Sequence, residues 1–285
     1  MVADTPARDS LAPADYSRLS PKQQRVARLV AESPSFAAFA TAGELAERAG
    51  TSTATVVRFA QALGFDTYNE FQQNVRHGYL RTLRPLEALQ SRAKNGRDLF
   101  TAQLYQDLEN LRRTLHTLHA DLLTEAARQI DAAENIVIIA AGSYAAIGLV
   151  LGHHLRFMGY QALCEERGGP HLTAAIAPLG PSDLVIGISF WKGIREIVAA
   201  LRWAAGRGIP TLAITDTVYS PMAGAARLSL VLPTESVSFF QSMVAPLSIV
   251  YGLVAHLAQH ADDGRRQIMT EAEQSYELLD VSYHE

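Results

Sequence analysis

The stretch Thr51-Ser-Thr-Ala-Thr-Val-Val-Arg-Phe-Ala-Gln-Ala-Leu-Gly64 decides how the first third of this 285-residue chain folds. Val56, Phe59, Ala60 and Leu63 fall at i, i+3, i+4 and i+7, the buried face of an α-helix. Ser52 or Thr51 can cap its start with a hydroxyl, and Gly64 ends it. The opposite face carries Thr53, Thr55, Arg58 and Gln61. Just upstream, Thr41-Ala-Gly-Glu44 is a capping box that opens a shorter helix through Leu45, Ala46 and Ala49. Gly50 supplies the tight turn between the two, because glycine enters the left-handed region without a Cβ clash. Further out, Ser20-Pro-Lys-Gln23 starts an earlier helix with Val26, Leu29 and Val30 at helical spacing. Ser33-Pro34-Ser35 ends it, and a second apolar piece spans residues 36–40.

A short helix, a glycine turn and a second amphipathic helix is the layout of a helix-turn-helix. Hydroxyls and an arginine near such a helix start suit a duplex. Amides and hydroxyls contact phosphates there, and arginine grips guanine edges with two bonds. The same residues also suit the solvated face of any small bundle, and spacing alone leaves both readings open. The string from Ser52 to Phe71 then adds a resemblance. Its Ser-x-x-Thr-Val-x-Arg-Phe, Leu-Gly-Phe and final Phe are similar to the signature of the RpiR/MurR family of bacterial regulators. The opening Leu19-Ser-Pro-Lys-Gln-Gln-Arg-Val26 resembles that family's first helix. The resemblance implies binding to a double-stranded DNA operator. Its expected contacts are Lys22, Thr51, Ser52, Thr53, Thr55 and Arg58.

Beyond this head the apolar content drops. Pro85 and Asn95-Gly96 break structure, and Arg81, Arg84, Arg92 and Lys94 make the stretch basic. We expect a head over residues 1–80, a linker over 81–100 with some helix near Leu86, and a second domain over 101–285. From Asp98 a long helix is expected over 99–117, with Leu104, Leu108, Leu111 and Leu115 on one face, and another over 120–133. Strand candidates at 135–140, 161–164, 184–189, 210–215 and 228–232 then alternate with helices at 144–158, 194–206 and 241–259. That alternation predicts an α/β domain with a parallel sheet.

In open α/β sheets, ligands bind just past the carboxyl ends of strands. Two loops occupy that place: Ala141-Gly142-Ser143-Tyr144 after the first strand, and Ser189-Phe-Trp-Lys192-Gly-Ile-Arg195 after the third. Each runs into a helix N-terminus, where free amides and the helix dipole favour an anion. This half resembles a sugar isomerase (SIS) domain. The likeness rests on Ile139-Ala-Ala-Gly-Ser143, Val185-Ile-Gly-Ile-Ser189, and Ile209-Pro-Thr-Leu-Ala-Ile-Thr-Asp216 followed by Ser220-Pro-Met222. The whole chain is thus expected to be an all-α helix-turn-helix domain followed by an SIS-type α/β domain with a five-stranded parallel sheet.

The resemblance implies a phosphosugar pocket, but the third-strand loop departs from the usual Ser-x-Ser-Gly-x-Thr. Trp191 takes the second hydroxyl position, while Lys192 and Arg195 bring positive charge. The expected effector is therefore an anionic small molecule: a sugar phosphate, a sugar acid or a similar metabolite. Gly142, Ser143, Tyr144, Ser189, Lys192, Arg195 and Glu235 are its expected contacts. The competing reading has Trp191 fill the pocket and leaves the domain to assembly alone. Another alternative is a phosphosugar isomerase with a regulatory head, using Glu235 or His171 as acid and base.

Composition narrows the classes. Apolar residues make up 48% and charged residues 19%, ordinary for a folded chain. Residues 1–97 hold 13 Lys/Arg against 9 Asp/Glu, and the remainder holds 12 against 20. A basic head on an acidic body suits a partner that is negative at one end only. Apolar runs such as 136–141 are far shorter than the ~18–20 residues of a membrane span, so no membrane partner is expected. Residues 1–10 lack the pattern of a secretory signal, and the single cysteine, Cys164, makes no disulfide within the chain. A cytoplasmic homodimer or homotetramer is expected, with no cofactor, no catalytic residue and no metal. His256 and His260, one turn apart, read as packing residues.

Overall fold

The computed structural model describes residues 19–82 and 98–279 apart from Lys192, Tyr219 and Phe239. Most of the expected linker, and its helix near Leu86, lie outside the described residues. The chain divides into two compact units, Met1–Lys94 and Asn95–Glu285.

The first unit is helical: α1 Pro21–Glu32, α2 Pro34–Ala37, α3 Ala42–Arg48, α4 Thr53–Ala62 and α5 Tyr68–Thr82. Both expected capping boxes form. Ser20 and Gln23 exchange bonds at the start of α1, and Thr41 and Glu44 do so at the start of α3. Gly50 turns the chain with a φ of +60°, where a side chain would be strained. Val26, Val30, Leu45, Val56 and Phe59 close the core between α1, α3 and α4. Phe59 and Phe65 meet Phe71 of α5 edge-on, at 5.4 and 5.5 Å between ring centres. Tyr68 and Gln72 of α5 both donate to the carbonyl of Ala40, which ties α5 to the turn after α2.

The second unit opens with α6 Leu99–Thr117 and α7 Ala120–Ala132. Five strands follow: β1 Ile136–Ala140, β2 Ala162–Glu165, β3 Leu184–Ile188, β4 Thr211–Thr215 and β5 Leu228–Val231. All pair in parallel, in the order β2-β1-β3-β4-β5. β1, β3 and β4 are buried at every residue, as central strands covered on both faces must be. α8 Ala145–Phe157, α9 Pro170–Ile176 and α10 Arg195–Gly206 lie between strands, and α11 Val244–Gln259 and α12 Asp263–Leu278 follow β5. Residues of α7, α8 and α11 pack one face of the sheet, and those of α9 and α10 the other. α9 and α12 have no counterpart in the sequence reading. α9 is only seven residues long, and α12 is mostly exposed, so neither offers much periodic apolar signal.

The leucines of α6 do share one face, but that face is exposed. The side turned to the unit is polar. Asn110 and Thr114 are buried, and Gln103, Asp107, Asn110 and Arg113 hydrogen-bond to the 235–242 segment beyond β5.

Candidate functional site

In the first unit, two capped helix starts meet. Ser20 Oγ accepts from the amide of Gln23 at 3.4 Å, and Ser52 Oγ accepts from the amide of Thr55 at 3.3 Å. These ends border one hollow of about 360 Å³, lined by Ser20, Lys22, Gln23, Ser52, Thr55 and Arg58. The positive ends of two helix dipoles and two side-chain cations face it, and among the described residues no carboxylate lines it. Such a hollow suits a phosphate group. Lys22 and Arg58 are exposed, free to reach beyond it.

Four of the six residues expected on DNA line this hollow: Lys22, Ser52, Thr55 and Arg58. Thr53 stands exposed at the first turn of α4. Thr51 is half-buried, and its hydroxyl finds no partner among the described residues. Thr55 sits deeper than its expected place on the outer face of α4. It is only 6% exposed, and its Oγ1 lies 3.0 Å from Ser52 Oγ. As the third residue of a capped helix it leans onto the cap, so it forms the floor of the hollow. Ser20 and Gln23 were read only as caps. The same capping box carries them to this site, and only the packing of α1 against α4 reveals it.

In the second unit, the sheet order reverses between β1 and β3, the switch point where α/β sheets open a crevice. Ala140 pairs with Ile188, so the chain leaves both strands side by side at Ala141 and Ser189. After β1, Gly142 takes a φ of +62° and begins a single 3-10 turn through Tyr144. Ser143 is exposed there. Ser189 is 1% exposed, and its hydroxyl finds no partner among the described residues. Tyr144 meets Phe190 edge-on at 5.2 Å. Trp191 adopts a φ of +63°, a left-handed conformation costing a bulky residue roughly 1–2 kcal/mol. Its amide donates to Asp216 Oδ2 at 2.8 Å, which holds the loop in that shape. Burial, helped by the Asp216 carboxylate, pushes the Tyr144 hydroxyl up to about 12.

Arg195 is exposed at the first residue of α10, and Lys192 lies outside the described residues. Glu235 is engaged by α6. Its carboxylate accepts from Arg113 at 2.7 Å, and its carbonyl accepts from Asn110 at 2.7 Å. Its expected role as a hydroxyl-binding acid or general base therefore has a competitor in place. Asp216 was missed as a site residue. Its position at the end of β4 was the available signal, and its bond to the Trp191 amide is visible only in three dimensions. His256 of α11 and His260, which caps that helix, stack ring on ring at 4.2 Å. Among the described residues no helix is long and apolar enough by itself to cross a membrane.

Known proteins share both halves. The family model of the helix-turn-helix domain, rpiR family, matches residues 13–80, and that of the SIS domain matches residues 129–256. The crystal structure of the sugar isomerase domain of an RpiR transcription factor from Sphaerobacter thermophilus is 34% identical. The match covers 62% of this chain and 99% of that one, with a TM-score of 0.60. The chain belongs to the RpiR family of transcription regulators. An uncharacterized HTH-type transcriptional regulator of Caldanaerobacter subterraneus is 25% identical, over 85% of this chain and 87% of its own length. The Vibrio vulnificus NanR protein, solved in complex with ManNAc-6P, shares the fold at 22% identity and a TM-score of 0.61. It covers 93% of this chain and 96% of its own.

Membership gives this RpiR-family chain a DNA-binding helix-turn-helix and an SIS domain with a five-stranded parallel sheet. In that domain the amide of Trp191, in the 189–195 loop, donates to Asp216, just beyond β4.

Proposed function

We propose that this chain acts in the cytoplasm as a ligand-responsive regulator, binding a palindromic operator as a homodimer or larger homo-oligomer. In the head, the hollow between α1 and α4 takes a backbone phosphate, while Arg58 and Thr53 reach the bases. The observation that carries this reading is the convergence of two helix starts with Lys22 and Arg58 on one hollow. In the second domain, the crevice above β1 and β3 takes an anionic metabolite, a sugar phosphate or sugar acid. A buried serine hydroxyl at the switch point, without a partner among the described residues, supports this, since such a group is stabilised by a ligand that bonds it. The ManNAc-6P bound by the NanR protein favours a phosphorylated sugar. The domain works as a binding module rather than an enzyme, because Arg113 already engages Glu235, the acid an isomerase would use.

The test uses purified full-length chain. Genomic fragments retained by the protein should converge on one palindromic sequence. A panel of phosphosugars and sugar acids should contain one that raises the thermal midpoint. A ligand at a hundred times its Kd adds about 2.7 kcal/mol to the folded state. Retention of bulk DNA without sequence preference sinks the operator reading, and a panel that leaves the midpoint unmoved sinks the sensing one.

A further inference from the structure

An anion reaching the loop after β3 meets a carboxylate already in place. β3 and β4 run side by side, with Ile188 facing Ile214, so Asp216 leaves β4 next to that loop. The loop leads to α10, whose start at Ile194 has no side-chain cap. Open amides and an uncapped helix start favour negative charge. Asp216 supplies it from within the chain. Its Oδ2 accepts from the Trp191 amide at 2.8 Å, and its Oδ1 accepts from the Thr215 hydroxyl at 3.4 Å. Asp216 is half-buried rather than sealed in. Its charge also reaches Tyr144, on the loop after β1, where it adds to burial in raising the ionisation of that hydroxyl. The carboxylate therefore borders the crevice between the two loops.

We propose that Asp216 is the specificity-determining residue of the crevice: it turns a lone phosphate or carboxylate away from the loop after β3, and accepts there a hydroxyl or ammonium group of the effector. The proposal rests on the reading that the crevice takes a small metabolite. A second anion at the Trp191 amide would lie against the Asp216 carboxylate, in a half-buried place where like charges repel strongly and salt screens them poorly. A donor group meets the opposite situation. A carboxylate offers about four acceptor positions, so one that is bonded to an amide can still accept from a ligand. Ser189 stands on the same loop, 1% exposed, and its hydroxyl finds no partner among the described residues. It can bond a neighbouring hydroxyl of the same ligand. The hydroxyl-bearing end of a sugar phosphate or sugar acid is thereby drawn to Asp216, and its anionic end is held away from it.

Trp191 provides a local probe. The chain has two tryptophans, so Trp203→Phe leaves the Trp191 indole as the remaining one, and neither lies in the head. Full-length chain with Trp203→Phe is titrated with sodium phosphate and, separately, with sodium chloride of equal ionic strength. The two emission curves should coincide. Adding Asp216→Asn, whose side-chain oxygen can still accept from the Trp191 amide, should give saturable phosphate binding, about tenfold tighter or more. Asp216→Ser, which also removes the charge, should show the same gain. The second arm uses the panel of phosphosugars and sugar acids. The compound that raises the wild-type midpoint should bind Asp216→Asn about tenfold more weakly, because a bond to a charged acceptor becomes one to a neutral amide. A gain for phosphate beside a loss for the effector is a pattern that general damage to the loop would not produce. Phosphate bound by the Trp203→Phe parent as tightly as by the Asp216 variants overturns the proposal. So does a lack of gain in both variants, or an effector held equally by Asp216→Asn and wild type. A panel without a binder sinks the crevice reading instead, and the phosphate titration still decides whether Asp216 repels an anion.

Discussion

The hollow between α1 and α4 and the crevice above β1 and β3 both set helix starts against open space, yet their surroundings are opposite in character. The hollow is rimmed by exposed cations, and among the described residues no acid lines it. The crevice holds a hydroxyl that is 1% exposed, an aromatic pair and a carboxylate already bonded to a loop amide. A polyanion with a regular repeat needs only positive charge at the right spacing. A small molecule must displace or satisfy each group that closes around it, and an anion entering the crevice must contend with Asp216. On the proposed reading, the first site works by attraction and the second by selection.

The comparison is broken most sharply at Arg58. Replacing it with alanine should weaken specific operator binding by about 1–3 kcal/mol, while leaving the thermal midpoint nearly unchanged because the side chain is exposed. A quantitative gel shift on the selected operator and on a scrambled duplex reads this directly. Equal losses on both duplexes would make Arg58 a phosphate contact, and no loss on either would remove it from the interface.

Ser189 sharpens the other side. A buried hydroxyl without a bond costs about 1–3 kcal/mol. Ser189→Ala should therefore raise the ligand-free stability, by about 1 kcal/mol in a denaturant titration, and abolish the midpoint shift given by the effector. Operator affinity of the ligand-free chain should stay as in the wild type. A loss of stability would mean that the hydroxyl holds the fold together, which contradicts its place as a vacant ligand contact.

The two regions also differ in how far the sequence exposes them. The head is legible because local rules build it. Ser20, Thr41 and Ser52 act on amides three residues away, and Val56, Phe59 and Ala60 share a face through helix period alone. Even there, Thr55 misleads, because a wheel places it on the outer side while the cap draws it in. The sheet is legible as a list of strands, since β1, β3 and β4 are continuous apolar runs. Its crevice is less so. Asp216 meets Trp191 across 25 residues, and Glu235 meets Arg113 across 122, distances over which periodicity says nothing. α6 shows the limit most plainly. The spacing of its leucines is right, and whether they face a core or solvent depends on which side finds hydrogen-bond partners in the 235–242 segment.

The smallest effect separates the two regions through their tyrosines. Tyr68 in the head and Tyr144 at the crevice are both pushed up to about 12, first by burial and then by a carboxylate, Glu44 for the one and Asp216 for the other. An unfolded tyrosine ionises near pH 10. Each folded one keeps its proton to about 12, so between these values the unfolded chain binds fewer protons than the folded one. Stability is therefore lost as pH rises through that window, and below it the contribution of each group is fully present. The carboxylates are distinct, so the two titrations can be moved one at a time. Asp216→Asn removes the charge beside Tyr144 and should bring its ionisation down by a fraction of a unit, leaving that of Tyr68 in place. Glu44→Gln, which can still close the capping box with Thr41, should do the reverse. Ultraviolet difference titration of tyrosinate, variant against wild type, reads both. Superimposable curves for Asp216→Asn and wild type would show that the carboxylate does not face Tyr144, and the crevice would lose the negative wall that sets it apart from the hollow.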